Sequence, residues 1–175
     1  MLLPLLQERR SIRKFLSTPV EQEKLDILLE SLLRAYSSRG NNPWEFIVVT
    51  QPEILEKLSR AKEHGSVFIA GAPLAIVICA DTQKSDVWIE DCAIASTILQ
   101  LSAASIGLGS CWAQIRLRSH GQGQSAEEFI RELFQMDERF CVDAVIGIGY
   151  PDENKPGHSV DTLQYEKIHR NGFSS

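Results

Sequence analysis

Pro73-Leu74-Ala75-Ile76-Val77-Ile78-Cys79-Ala80-Asp81 is the stretch on which the fold turns. Its apolar run, unbroken from Leu74 to Ala80 and closed by a proline and an aspartate, reads as a strand covered on both faces, because a half-exposed strand would alternate apolar with polar side chains. Such a strand sits at the centre of a sheet. Upstream, Glu45-Phe46-Ile47-Val48-Val49-Thr50 is a second β-branched run that stops at Gln51-Pro52. Downstream, a strand is expected near 110–115 and another over 142–148. Helical spacing fills the intervals: a short helix at 4–10, one at 21–33 carried by Leu25, Leu28, Leu29, Leu32 and Leu33 behind Thr18-Pro19, then helices at 52–62, 86–106 and 125–136. The 86–106 helix is crowded with Ala93, Ala95, Ser96, Ala103 and Ala104, which lets other backbones approach and suits a core or subunit-interface helix. Interleaved helices and strands make this an α/β or α+β sandwich of layers.

A chain of 175 residues with no internal repeat, low-complexity tract or linker is read as a single domain over 1–175. Its net charge of −5 argues against wrapping nucleic acid or coating an acidic membrane, since both need a basic surplus. The apolar opening, Met1 to Leu6, is too short for a signal segment and no run approaches a membrane span, so a cytoplasmic protein is expected. Cys79, Cys92, Cys111 and Cys141 are scattered and form no CxxC pair, which reads as reduced thiols rather than disulfides or metal ligands.

Three stretches carry candidate chemistry. Arg9-Arg10-Ser11-Ile12-Arg13-Lys14 concentrates four of the 18 Lys and Arg residues of an acidic chain, which suits an anion site, although cations following a helix also complement its dipole. Tyr36-Ser37-Ser38-Arg39-Gly40-Asn41-Asn42-Pro43-Trp44 offers hydroxyls, amides and a permissive glycine to a planar polar ligand; read blandly it is a helix-to-strand turn ending on a core tryptophan. Ile106-Gly107-Leu108-Gly109-Ser110-Cys111-Trp112-Ala113-Gln114 is no dinucleotide fingerprint, because its glycines end a helix and lead into a strand. No GxSxG elbow exists, Cys111 reads as a small buried hydrophobe before a reactive thiol, and His64, His120, His158 and His169 are isolated.

Taken in order, these pieces resemble the flavin-dependent nitroreductase family. Arg9-Arg10-Ser11-Ile12-Arg13-Lys14-Phe15 is similar to its RRSxRxF signature, and Tyr36 to Trp44 is similar to its PSxxNxQPWxF loop. Glu90-Asp91-Cys92-Ala93 leading to Gly107-Leu108-Gly109-Ser110-Cys111-Trp112 resembles its third block, and Gly147-Ile148-Gly149-Tyr150-Pro151 its closing strand. The resemblance implies an α+β three-layer sandwich, a mixed and mainly antiparallel sheet flanked by helices, and an intertwined homodimer with FMN at the subunit interface. It assigns cofactor contacts to Arg9, Arg10, Ser11 and Arg13, to Tyr36, Ser37, Ser38 and Gly40 from the other subunit, to Trp112, Ala113 and Gln114 along the ring, and to Lys155 at the phosphate. No side-chain nucleophile is implied: hydride from NADH or NADPH reaches flavin N5, Arg13 stabilises the anionic reduced ring, and a nitroaromatic, quinone or flavin takes the electrons in a ping-pong cycle. The short segment between Trp112 and Cys141 leaves little room for a substrate lid, so an open pocket is expected.

Tyr36 replaces the family's loop proline, Gly40 its asparagine and Asn42 its glutamine, and Asp152-Glu153-Asn154-Lys155-Pro156 sets one cation beside two carboxylates. These departures point to an altered pocket wall and a thinner phosphate site. The rival readings are a non-catalytic FMN carrier or sensor, and a flavin-free interaction protein on the same dimer. Flavin chemistry directed at dehalogenation or flavin fragmentation is disfavoured by the short lid region.

Overall fold

The computed structural model describes residues 2–173. The elements run α1 (Leu2–Glu8), α2 (Gln22–Leu33), β1 (Trp44–Val49), α3 (Pro52–Ser59), β2 (Leu74–Asp81), α4 (Trp88–Ser105), β3 (Gly109–Gln114), β4 (Ser119–Gly121), β5 (Gln124–Ser125), α5 (Ala126–Leu133) and β6 (Phe140–Gly149). The main sheet has the order β1-β2-β6-β3, with every neighbouring pair antiparallel. Among the described residues, the parallel component of the sheet is a single bridge from Ser11 to Ser110.

All of β2 is buried, as its composition requires. Leu74, Ile76, Ile78 and Ala80 face α2 and α4, where they meet Leu28, Leu32, Cys92, Ala95 and Leu99. Ala75, Val77 and Cys79 face α3 and α5, where they meet Leu55, Leu58, Ala126 and Ile130. The period of two in a strand thus serves two separate apolar layers, and the result is a three-layer sandwich. No described helix is long and apolar enough to cross a membrane.

Helix boundaries fall short of the apolar periodicity for local reasons. α1 stops at Glu8, so Arg9 and Arg10 lie beyond it rather than inside its last turn. α3 stops at Ser59, where Ala61 N bonds back to Leu58 O at 3.1 Å in a tight turn. Ser125 starts α5 through a capping box: its Oγ accepts from Glu128 N at 3.1 Å, and its own amide donates to Glu128 Oε2 at 2.8 Å. The glycine-rich turn before it forms the small β4–β5 ribbon, which periodicity had not shown.

The N-terminal basic segment is docked by backbone. Ile12 N donates to Ser110 O at 3.0 Å, Leu16 N to Tyr150 O at 2.9 Å, and Asp152 N to Lys14 O at 2.9 Å. These bonds lay residues 11–16 across the start of β3 and the end of β6. Gly109 permits the approach, since a Cβ there would stand 2.8 Å from the Ile12 Cβ. Gly107, in the left-handed region at φ +79°, stops α4 and turns the chain into β3.

Gly109→Ala is expected to push Ile12 off β3 and cost about 1–3 kcal/mol of stability, the usual range for overpacking. Chemical denaturation checks this; an unchanged midpoint would show that the segment docks without needing the glycine.

Candidate functional site

Arg9, Arg10, Ser11, Arg13, Lys155 and His158 line one cavity of about 380 Å³. A second, of about 290 Å³, shares Arg9, Arg10 and Lys155 and adds Gln100, Ala104, Gly107 and Gly109. The sequence separates Arg9 from Lys155 by most of the chain; docking of the basic segment against the end of β6 brings them together. His158, isolated in sequence, joins the same wall.

Glu153 organises this wall. Its Oε1 accepts from the amides of Arg13 (2.6 Å) and Lys14 (3.2 Å) and from Lys155 Nζ (2.9 Å). The Arg13 amide first, and Lys155 next, hold its carboxyl down to about 2. The sequence reading set this carboxylate against phosphate binding; the structure turns it onto the backbone, where it fastens the basic segment. Lys155 also donates to Ser11 O at 3.0 Å, and the Arg10 guanidinium donates to Pro156 O. Beneath lies Cys111, 1% exposed, whose thiol is pushed up by burial although Arg13, Lys155 and Lys62 pull the other way. It is a packing residue.

Lys62 is a cation that the sequence reading overlooked, because the apolar spacing of 52–62 made it the last residue of a helix. It falls instead in the turn after α3, and burial, reinforced by Arg118, lowers its ammonium below the usual lysine range. No spacing in the sequence marks it, since its nearness to Cys111 is purely tertiary.

β3 supplies a second wall. Among the described residues it pairs only with β6 within the main sheet, and past the Ser11 bridge no described strand lies on its outer edge. Trp112 Nε1 donates to Gln114 Oε1 at 2.9 Å, and Gln114 Nε2 donates to Arg116 O (3.3 Å) and Asp143 O (3.4 Å). The intervening Ala113 is fully buried, with its methyl in the α3–α5 layer, so its side chain is turned away from this wall. Asp143 occupies a β-bulge: Ile78 pairs with Ala144 and Cys79 with Val142, which leaves Asp143 unmatched. Its freed carbonyl takes both Ile115 N and Arg116 N at 3.0 Å. Burial pushes its carboxyl up to about 6, against Arg116 and Gln114.

The loop at 36–42 lies elsewhere. Ser38 N donates to Asp91 Oδ1 at 2.7 Å, and Asp91 Oδ2 accepts from Ser85 Oγ at 3.0 Å, which anchors the loop to the first turn of α4. Ser37 Oγ donates to Asn42 Oδ1 at 2.7 Å and accepts from Asn42 N at 2.9 Å. Arg39 (φ 55°), Gly40 (φ 68°) and Asn42 (φ 45°) are left-handed, a conformation that asparagine and glycine tolerate best. Tyr36 projects into solvent, 70% exposed. Asp91 and Ala104 are thirteen residues apart on α4, about 20 Å at 1.5 Å per residue. Within one chain, therefore, Tyr36, Ser37, Ser38 and Gly40 do not reach the cavity of Arg9, Arg10, Ser11 and Arg13.

Glu153 is held well below its ordinary value of 4.5, so its contribution to stability is complete above that value and disappears as pH falls through about 2. Glu153→Gln is expected to melt below the wild type at neutral pH, with the gap closing as pH drops from 4.5 towards 2. Thermal unfolding across that range checks it; a gap that stays constant would remove the clamp.

The comparisons with known proteins agree on one family. The family model described as "Nitroreductase family" matches residues 6–66 and 60–150. The solved structure of an FMN-dependent nitroreductase from Clostridium difficile R20291 superposes with a TM-score of 0.96 at 46% identity, covering 98% of this chain and 99% of that one. Two archaeal relatives share the name "Putative NADH dehydrogenase/NAD(P)H nitroreductase". The one from Methanothermobacter thermautotrophicus is 36% identical over 95% of this chain and 85% of its own length. The one from Archaeoglobus fulgidus is 32% identical over 96% of each. With a family model spanning most of the chain, and a fold shared with a solved FMN-dependent nitroreductase, the protein belongs to the nitroreductase family.

Proposed function

We propose that this protein is an FMN-dependent NAD(P)H oxidoreductase, acting as a homodimer and delivering electrons to a small acceptor such as a nitroaromatic, a quinone or free flavin. The observation that carries the reading is the gathering of Arg9, Arg10, Arg13 and Lys155 around one cavity of a chain whose net charge is −5. Cations are concentrated in this way where a phosphate or another anion must be held. The donor set fits FMN: guanidiniums and an ammonium for the phosphate, the Ser11 hydroxyl beside them, and an open strand edge at Trp112 and Gln114 for the ring.

Bound FMN would supply the redox chemistry, accepting hydride from NAD(P)H and passing electrons onward. The chain's own part is positional and electrostatic. Arg9, Arg10 and Lys155 would neutralise the phosphate, Lys155 while tied to Glu153. Arg13 would lie towards the pyrimidine side of the ring, where its guanidinium would offset negative charge. Trp112 and Gln114 would border the ring edge. α5 is packed onto the sheet through Ala126 and Ile130, so the short segment between β3 and β6 is used to cover that face and, on this reading, leaves the ring site open. An uncovered face suits two substrates that use it in turn, the first leaving before the second binds.

The second copy enters for two reasons. The loop that resembles the family's second signature stands about 20 Å along α4 from the basic cavity, so only another chain brings the partner subunit's Tyr36, Ser37, Ser38 and Gly40 to it. The apolar residues of α4 are also not confined to its sheet-facing side: Cys92, Ala95 and Leu99 face the sheet, while Ile89, Ile94 and Leu101 are only half-buried on its other sides. α1 and the C-terminal segment add exposed Leu3, Leu6, Val160, Leu163 and Tyr165, an apolar surface suited to intertwining. A cytoplasmic setting, where NAD(P)H is available and thiols stay reduced, fits the four free cysteines.

The purified protein is expected to sediment as a dimer and to show flavin absorption bands that bleach on anaerobic addition of NADH or NADPH. Arg13→Ala should weaken FMN binding about 10–100-fold, the worth of one charged hydrogen-bonding partner. A bound flavin that stays oxidised would favour a non-catalytic carrier. A colourless protein that takes up no FMN would overturn the cofactor reading.

A further inference from the structure

We infer that Asp143 is a positioning residue: its carboxylate, buried behind β3, orients the Gln114 amide and thereby holds the Trp112 indole on the wall where, on the functional reading above, the flavin lies. Asp143 is 2% exposed, and its Oδ2 has no hydrogen-bond partner among the described residues. A buried carboxylate with an unmatched oxygen is costly, and the sheet does not call for one here, since the neighbouring Val142 and Val145 are apolar. What surrounds it gives it a use. From the end of β3 come the Gln114 amide and the Arg116 guanidinium, from α5 comes Glu127, and from α4 comes Cys92. Arg116 in turn stands 6.0 Å above the Trp88 ring.

The chain of contacts leads in one direction. The indole N–H only donates, so Gln114 must present Oε1 to it, and the 2.9 Å bond shows that it does. Gln114 Nε2 is left facing the Asp143 bulge, with the backbone oxygens of Arg116 and Asp143 at 3.3 and 3.4 Å and the carboxyl alongside. An ionised carboxylate only accepts, so it favours this orientation of the amide. A protonated carboxyl carries an O–H that competes for Oε1 and releases the indole. Burial places that change near pH 6, opposed by Arg116 and assisted by Glu127.

The test follows the indole N–H resonance of Trp112 in the purified, isotope-labelled protein, identified by its absence in Trp112→Phe. In the wild type this resonance is expected to shift with a midpoint near pH 6. In Asp143→Asn the shift should vanish while the protein still melts cooperatively. Gln114→Leu should also abolish it with the carboxylate still in place, and this variant decides the matter if Asp143→Asn fails to fold. A wild-type resonance that does not move near pH 6, or one that moves equally in either variant, overturns the inference. In flavin-loaded protein the rate of bleaching by NAD(P)H should fall severalfold below pH 6 in the wild type and lose that dependence in Asp143→Asn. A protein that takes up no flavin would sink the functional reading alone, because the indole titration is read without cofactor; a flavin that bleaches beside an unresponsive indole would sink this inference alone.

Discussion

Burial of both faces of β2 is the constraint from which the architecture follows. A strand apolar on each side needs cover above and below, and α2 with α4 on one side and α3 with α5 on the other provide it. β6 and β1 then satisfy its two hydrogen-bonding edges, which leaves β3 as the outer strand beside β6. The open side of β3 is therefore a consequence of the core, and the basic segment and the candidate ring-binding wall both use it.

The basic segment would not remain there by charge alone. Guanidiniums repel one another and favour water, so the fold ties their backbone down instead, through the Ser11–Ser110 bridge, the Ile12 contact over Gly109, and Glu153 bound to the amides of Arg13 and Lys14. A carboxylate inside a cationic cluster keeps like charges from driving the wall apart. α4 joins this end of the molecule to the loop at Ser38, and its apolar surface on the sides away from the sheet fits the proposed second copy.

How far the residues could be read in advance depended on the range of the interaction behind them. The central strand, its partners and the helices were legible because burial imposes a period of two on strands and 3.6 on helices. Boundaries were less so: α3 ends before Lys62 because the chain turns at Ala61, and α5 begins at Ala126 because Ser125 and Glu128 cap each other. Arg9, Arg10, Ser11 and Arg13 stood out because a dense basic run in an acidic chain is a local signal. Lys62, His158 and Asp143 carried no such signal, and Glu153 carried a misleading one, its charge being evident and its direction not.

The order of elements, the two-sided core strand and the basic signature were thus determined by the sequence itself, since each depends on residues within a few positions of one another. Tertiary structure alone decided that Lys155 meets Ser11, that Glu153 turns onto two backbone amides, that Asp143 is stranded at a bulge behind Gln114, and that α4 holds the two halves of the family's signature about 20 Å apart. Those outcomes hinge on strand register, helix length and the packing of distant segments, and none of these quantities is recorded in any short stretch of the chain.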